Sequence, residues 1–136
     1  MTEDEARDFI RSNHRAVLAT TRKDGGVQMS PIAVGVDDDG TLLISSRETA
    51  VKTRNLRRTP RGALCVLSDG FFGEWVFVEG RVAVESLPDA MDALMRYYRS
   101  VAGEHPDWDD YRAAMVREKR VVLRMTIERA GPNVSG

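Results

Sequence analysis

A short basic segment is the part of this sequence best suited to bind an anion. Between residues 47 and 61 there are six basic side chains and one acidic side chain, so the segment carries +5 in a chain of formal net charge −1. Concentrated positive charge raises the local concentration of negatively charged ligands. The basic residues are Arg47, Lys52, Arg54, Arg57, Arg58 and Arg61. The sequence therefore predicts a local anion site here.

Lys52 is the most informative of these cations, because it falls in the first turn of a predicted helix over residues 49–58. The positive end of the helix dipole disfavours a cation there by about 0.3 to 1 kcal/mol. A bound phosphate would reverse that cost, since free backbone N–H groups, the ammonium and the hydroxyls of Ser45 and Ser46 could all point at it. The alternative is a surface lysine whose aliphatic stem lies along the core.

The elements around this segment are predicted from apolar alternation and turn residues. Helices are expected around it, with capping boxes at Thr2 with Glu5 and at Ser86 with Asp89, and a further helix start at Asp107. Six strands are expected, over residues 15–21, 27–36, 41–45, 62–67, 74–85 and 121–128. Strands in hairpins with helices on the outside predict a mainly β fold, a small closed or nearly closed antiparallel barrel with peripheral helices.

Two features of these strands call for a neighbour other than a strand of the same sheet. Pro31 cannot donate to a ladder, so its part of the strand must be an edge, a bulge or a place where another group meets the backbone. Trp75 and Phe77 face away from the apolar side that Val76 and Val78 form. A large aromatic pair on that face predicts contact with a partner subunit or with a flat ligand.

Length and composition limit the class of protein. The 136 residues form one predicted domain, 1–136, with a loose tail over residues 131–136, and the composition is that of a soluble globular protein. The single Cys65 excludes an internal disulfide. The acidic start has no apolar run, and no stretch reaches the 18 apolar residues of a membrane span. We expect a cytoplasmic protein without a membrane or nucleic-acid partner.

Several kinds of chemistry lack their residues in this chain. There is no glycine-rich dinucleotide fingerprint and no P-loop. His14 and His105 are the only histidines and have no cysteine neighbours, so no metal site is expected. Tyr97, Tyr98 and Tyr111 are as well explained by helix packing as by catalysis, so no catalytic residue is assigned. Chemistry would have to come from a bound cofactor.

The order of elements and four motifs resemble the flavin- and deazaflavin-binding split-barrel proteins, the pyridoxamine 5′-phosphate oxidase superfamily. The resemblance covers nearly the whole chain. The motif at residues 103–111 is similar to the branch that uses coenzyme F420. The motifs are Gln28-Met29-Ser30-Pro31, Lys52-Thr53-Arg54-Asn55-Leu56, Trp75 with Val78-Glu79-Gly80, and Gly103-Glu104-His105-Pro106-Asp107-Trp108-Asp109-Asp110-Tyr111.

This resemblance implies a six-stranded split barrel and a homodimer with two cofactor sites at the subunit interface. Ser30 and Pro31 would lie near the tricyclic ring, and Lys52 would bind the phosphate. Trp75 would reach the ring from the neighbouring subunit, or would pack the dimer without touching the ligand. Further cofactor contacts are implied, less directly, for Ser45, Ser46, Arg54 and Asn55.

The charge of the cofactor distinguishes two members of this group. FMN ends at its phosphate, whereas F420 continues into a glutamate tail, for which Arg54, Arg57, Arg58 and Arg61 are available. We therefore predict an F420H2-dependent reductase that transfers a hydride to a conjugated small organic substrate. The alternatives are an FMN-dependent enzyme of the pyridoxamine-phosphate oxidase kind, and a non-catalytic protein that binds or carries a flavin, a deazaflavin or haem.

Overall fold

The computed structural model describes residues 1–132, and within this range it contains four helices and seven strands. The helices are α1 (Glu3–Ser12), α2 (Val51–Arg58), α3 (Met91–Ala102) and α4 (Trp108–Arg117). The strands are β1 (Arg15–Thr21), β2 (Val27–Ala33), β3 (Gly35–Val36), β4 (Leu42–Arg47), β5 (Arg61–Leu67), β6 (Trp75–Ser86) and β7 (Arg120–Gly131). The predicted mainly β class is confirmed.

All seven strands form one antiparallel sheet in the order β2-β1-β5-β6-β7-β4-β3. β2 and β3 are consecutive in the chain but lie at opposite edges of the sheet, so the sheet must curl until its edges approach each other. At the crossing point the Val34 N–H donates to the His14 carbonyl at 2.8 Å. The architecture is the predicted split barrel.

The strand count differs from the expected six because the predicted strand over residues 27–36 is two strands. Its first part pairs with β1 as far as Ala33, and its second part pairs with β4 through Gly35 and Val36. Apolar alternation continues through this change of partner, so the sequence pattern cannot show it. The Tyr97 hydroxyl donates to the Ala33 carbonyl at 3.1 Å and thereby ties α3 to the end of β2.

Two apolar clusters hold the fold together. The cluster inside the curled sheet takes Ile10 from α1 and Leu56 from α2, together with strand residues such as Leu18, Leu64 and Leu123. The second cluster lies on the outer face of β4 and β7, where α3 and α4 pack. Its buried members are Leu43, Ala90, Ala93, Leu94, Met95, Tyr111, Met115 and Val122.

The outer face of β1, β2, β5 and β6 is far less covered. One row across it runs from Pro31 through Val17 and Cys65 to Phe77, as the strand register shows. All four side chains remain exposed or half-buried, and Met29 in the next row is 68% exposed. We call this surface, from β2 to β6, the open face. Val76 and Val78 are buried, so the prediction that Phe77 faces away from them is confirmed.

The predicted helix starts have mixed outcomes. The capping box of α1 is present, with the Glu5 N–H donating to the Thr2 hydroxyl at 3.1 Å, and Asp107 caps α4. The capping box at Ser86 is wrong, because Ser86 is still in β6 and its hydroxyl accepts from Arg57 at 2.9 Å. The third helix begins only at Met91, after a turn that apolar periodicity does not predict.

The end of the chain is ordered further than expected. Gly131 pairs with Phe77 and closes β7, so a loose tail cannot start at residue 131. Residues 133–136, which belong to the predicted tail, lie outside the described residues. Earlier in the same strand pair, Gly80 sits at a β-bulge where a Cβ atom would overlap the Thr126 carbonyl oxygen, so this position requires glycine.

Candidate functional site

The start of α2 has features that favour anion binding. Ala50 is its N-cap and supplies no side-chain hydrogen bond, and the first turn contains no acidic residue. The free N–H groups and the dipole at such an end favour a negative ligand. The helix begins at Val51, two residues later than predicted, which leaves Lys52 in the first turn as expected.

Lys52 is a half-buried cation that lies against another cation. Burial lowers the pKa of its ammonium, and the nearby positive charge of Arg120 lowers it further. Arg120 is partly balanced by Glu118, at 2.8 Å, whereas Lys52 forms no ion pair within residues 1–132. An anion between α2 and β7 would therefore relieve an unfavourable arrangement.

The two serines before α2 have different environments. Ser46 is 1% exposed, and its hydroxyl lies 2.8 Å from that of Thr53. Since the Thr53 hydroxyl donates to the Arg47 carbonyl at 2.7 Å, the Ser46 hydroxyl is the donor to Thr53. Ser46 thus links β4 to α2 internally. Ser45 is half-buried on the other face of β4, where its side chain stays accessible.

Asn55 is also occupied by contacts within the chain. It is 4% exposed, and its amide nitrogen donates to the Thr20 hydroxyl at 3.1 Å and to the Gln28 side-chain oxygen at 3.2 Å. Its amide oxygen accepts from Arg58 at 2.9 Å. Asn55 therefore fixes α2 against β1 and β2. Its role in a cofactor site would therefore be to hold α2 in place, since its own polar atoms are already hydrogen-bonded within the chain.

The four arginines between residues 54 and 61 divide into two pairs. Arg57 lies 2.7 Å from Glu48, and Arg61, just after the helix, lies 3.0 Å from Glu128. Arg54 and Arg58 have no carboxylate partner in the described part of the chain. Only the second pair keeps its charge available, although the sequence pattern made all four arginines look equivalent.

A cationic depression lies between α2 and the β1–β2 turn, with a volume of about 340 Å³. We call it the hairpin–helix pocket. Its basic lining residues are Arg22, Lys23, Arg54 and Arg58, and the one acid there, Asp24, is paired with Arg22 at 3.1 Å. Sequence reasoning missed Arg22 and Lys23, because nothing in the local pattern shows that this turn lies beside α2.

The remaining predicted residues lie apart from one another in a single chain. Ser30 is half-buried and Pro31 is exposed on β2, which is an edge strand. Because β2 pairs with β1 on one side only, the missing N–H of Pro31 can face the open edge without loss of a hydrogen bond. Trp75 begins β6, which β1 and β5 separate from β2, and it lines a different groove, near Phe9. One chain therefore does not bring Trp75 to the residues of β2 and α2.

The motif at residues 103–111 forms a small aromatic core between α3 and α4. His105, Trp108 and Tyr111 pack against Tyr98 with ring centroids 4.8 to 5.8 Å apart. The His105 Nδ1 accepts from the Asp107 N–H at 2.9 Å. This motif therefore shapes the α3–α4 connection, and its rings are used for packing.

The buried tyrosine hydroxyls are occupied as well. The Tyr111 hydroxyl donates to the Leu94 carbonyl at 2.7 Å, and burial raises the pKa of Tyr111 to about 12. Tyr97 has a raised pKa for the same reason. Neither group is placed to give a proton to a ligand.

Residues 1–132 contain no group of three or more His, Cys, Asp or Glu side chains that could hold a metal ion. Among the described helices, none has the length and apolar character needed to cross a membrane.

Comparison with known proteins gives the family. The model of the pyridoxamine 5′-phosphate oxidase family matches residues 2–132. The chain belongs to the pyridoxamine 5′-phosphate oxidase family. This match and the relatives described next confirm the resemblance to the family and to its F420 branch.

This family member has similar proteins in mycobacteria. An F420H(2)-dependent biliverdin reductase of Mycobacterium tuberculosis is 32% identical over 127 residues, which are 93% of this chain and 84% of that protein. A solved structure of a conserved hypothetical protein from the same organism has a TM-score of 0.75 and 27% identity, covering 96% of this chain and 82% of that one. A structure described as F420 reductase has a TM-score of 0.69 at 20% identity, with 92% and 94% coverage, and shows the common fold.

Proposed function

We propose that this family member is an F420H2-dependent reductase that transfers a hydride to a conjugated small organic substrate. The observation that carries the proposal is the cationic surface at α2. It comprises Lys52, a half-buried cation without an ion-pair partner in the described structure, and the hairpin–helix pocket, which Arg54 and Arg58 of the same helix line. The F420H(2)-dependent relative at 32% identity supports an oxidoreductase with a flavin or deazaflavin.

In this proposal the chain binds the anionic part of the cofactor in two places. The Lys52 ammonium and the N–H groups at the start of α2 hold the phosphate. Arg54, Arg58 and Lys23 hold the carboxylates of the tail, because they line the hairpin–helix pocket and form no ion pair within residues 1–132. Ser30 and Pro31, on β2, border the ring.

The charge distribution favours F420 over FMN. One phosphate needs only the cations at the start of α2, and the hairpin–helix pocket would then have no ligand. F420 has a phosphate and additional carboxylates, which use both places. An FMN-dependent enzyme of the pyridoxamine-phosphate oxidase kind, or a carrier of flavin, deazaflavin or haem, remains the alternative that the experiment below must exclude.

Reduced F420 would supply the hydride, and the protein's part would be to bind it and to place the substrate. Reduction of a conjugated double bond also adds a proton. Since the hydroxyls of Tyr97 and Tyr111 already donate to backbone carbonyls, solvent is the proposed proton source. The relative that is a biliverdin reductase supports a conjugated organic substrate for this chain.

We also propose that two copies of the chain pair through the open face. This face presents Val17, Met29, Cys65 and Phe77 to solvent, which is unusual for the centre of a sheet in a monomer. A twofold pairing of such a face is self-complementary. It would also bring Trp75 of one copy toward the β2 edge of the other. Sedimentation of the protein at micromolar concentration should show a dimer of the 15.2 kDa chain.

Titration with F420 and FMN, followed by turnover measurements, tests the function. The purified protein should bind F420 more tightly than FMN, with a 1:1 stoichiometry per chain and an affinity that falls as salt is added. It should then oxidise reduced F420 when a panel of conjugated substrates is supplied. Tight FMN binding without F420 binding would overturn the proposal, and F420 binding without any turnover would favour a carrier.

A further inference from the structure

A large apolar groove shares no lining residue with the hairpin–helix pocket. It runs between the end of β6, the start of α3 and the end of α4, and its volume is about 730 Å³. We call it the α3–α4 groove. A volume of this size suits an organic ligand of drug-like dimensions. Its apolar surface comes from Leu87, Pro88, Met91, Val116 and Val121.

The apolar surface of this groove is accessible. Val116 is 61% exposed on α4, and Leu87 and Met91 are half-buried. A valine of α4 that faces this groove contributes nothing to the core. An apolar ligand body would cover these side chains and remove their surface from water.

The rim of the α3–α4 groove has an excess of positive charge. Lys119 has no ion pair in the part of the chain that the structure describes, and Arg120 shares Glu118 at 2.8 Å. Glu48, the one acid lining the groove, is already bound to Arg57 at 2.7 Å. The charge left for a ligand is therefore positive.

A second groove of nearly the same size has the opposite charge at its rim. The groove at Trp75 and Phe9 has a volume of about 690 Å³ and is also mostly apolar. Its charged side chains are those of Glu5, Asp8 and Glu74, which together outweigh the single positive charge of the Met1 α-amino group. Two apolar grooves of similar size with opposite net charge at their rims should accept ligands of opposite charge.

We propose that the α3–α4 groove binds amphipathic organic anions, with the apolar body on Met91 and Val116 and the acidic group at Lys119 and Arg120. The groove shares no lining residue with the hairpin–helix pocket, and Lys52 does not line it, but Arg120 lies near Lys52 and borders both places. The probe titration is carried out without F420, and the effect of Val116→Glu distinguishes the groove from the phosphate contact at Lys52.

The test uses 8-anilinonaphthalene-1-sulfonate as the anionic probe and its neutral analogue N-phenyl-1-naphthylamine. Fluorescence titration of the full chain should show one anionic probe per chain, bound at least about fivefold more tightly than the neutral analogue. Amide resonances of residues 87–91 and 116–121 should shift on binding. Equal affinities, or shifts confined to the groove at Trp75, would overturn the proposal.

Two matched variants on α4 locate the site. Val116→Glu places a carboxylate in the groove and should weaken the anionic probe by about tenfold or more. Ala113→Glu is the control, because Ala113 is exposed on the same helix and lies outside both grooves. It should leave the affinity unchanged. Melting temperatures confirm that both variants fold, and an unchanged affinity in Val116→Glu would refute the site.

A second copy of the chain is the rival occupant of the groove. If the groove were a contact between copies, Val116→Glu would dissociate an oligomer in sedimentation, and the probe would bind only as the oligomer dissociates. That result would overturn the ligand proposal. Probe binding without any change of the sedimentation coefficient, together with loss of binding in Val116→Glu, would support it.

Discussion

Arginines occupy two regions of this molecule with opposite surroundings. Arg96 and Arg124 converge on Asp37, each at 2.7 Å, whereas Arg54 and Arg58 face the hairpin–helix pocket and have no carboxylate partner within residues 1–132. The same side chain therefore serves the fold in one place and remains free for a ligand in the other. This contrast indicates that the partner of a charge, rather than the number of charges, distinguishes a structural cluster from a candidate binding site.

The Asp37 cluster joins elements that are distant in sequence. Arg96 comes from α3, while Arg124 of β7 also reaches Glu85 of β6 at 3.1 Å and the Thr41 hydroxyl at 2.8 Å. Burial alone would raise the pKa of Asp37, but the hydrogen bonds from Arg96 and Arg124 lower it to about 2. The cluster fastens α3 to the outer face of the sheet.

The largest expected effect is the loss of stability when Asp37 is removed. Asp37→Asn leaves two arginines without their shared carboxylate, and breaking such a buried pair costs about 3 kcal/mol. Chemical denaturation should show this loss, with little change in F420 affinity. Asp38→Asn is the control, because Asp38 is exposed beside it. Equal melting temperatures for the two variants would contradict a structural role.

The next effect is the loss of cofactor affinity when Lys52 is removed. A charge-assisted hydrogen bond contributes about 1.5 to 3 kcal/mol, so Lys52→Ala should weaken F420 binding about tenfold to a hundredfold. The apo protein should keep its stability or gain slightly, because a half-buried cation beside Arg120 is removed. Calorimetry and melting on the same sample decide the matter. A lysine that only packs its stem would give reduced stability and unchanged affinity.

Acid should lower the stability of the ligand-free protein through Asp37. The pKa of Asp37 is about 2 in the folded protein, against an ordinary value of 3.8. As the pH falls below about 4, the unfolded chain takes up this proton first, so about 2 kcal/mol of stability is lost between pH 4 and pH 2. Denaturation curves at several pH values should show this loss. Asp37→Asn should show a shallower pH dependence over that interval.

The smallest effects separate the free arginines from the paired ones. Arg54→Ala should weaken binding of F420 with a long tail about threefold to tenfold, and Lys23→Ala should act similarly. Arg57→Ala is the matched control and should leave the affinity unchanged, because Glu48 already neutralises Arg57. Titrations with short and long tails provide the measurement. Equal losses in Arg54→Ala and Arg57→Ala would show that charge number alone governs binding.

Much of the secondary structure could be predicted from the sequence. The start of α1 at Thr2 with Glu5, the cap of α4 at Asp107 and the buried side of β6 all follow from contacts within a few residues. The position of Lys52 in the first turn of α2 is equally local. Such features depend on chain geometry over one or two turns, which residue types determine directly.

The partners of the polar residues were decided by the tertiary structure. Ser46 and Asn55 are cofactor contacts implied by the resemblance, and in the folded chain their side chains bind Thr53, Thr20 and Gln28. Arg124 meets Asp37 across 87 positions. Periodicity tells which face of an element a residue lies on, and it carries no information on which other element lies opposite.

The tertiary structure also decided which basic residues form the candidate site. The basic segment 47–61 and its charge are properties of the sequence alone. That Glu48 and Glu128 cancel Arg57 and Arg61, while Lys23 comes to stand beside Arg54, follows from the way the sheet curls and places the β1–β2 turn against α2. Long-range electrostatics depends on distances between elements, and those distances exist only once the barrel has closed.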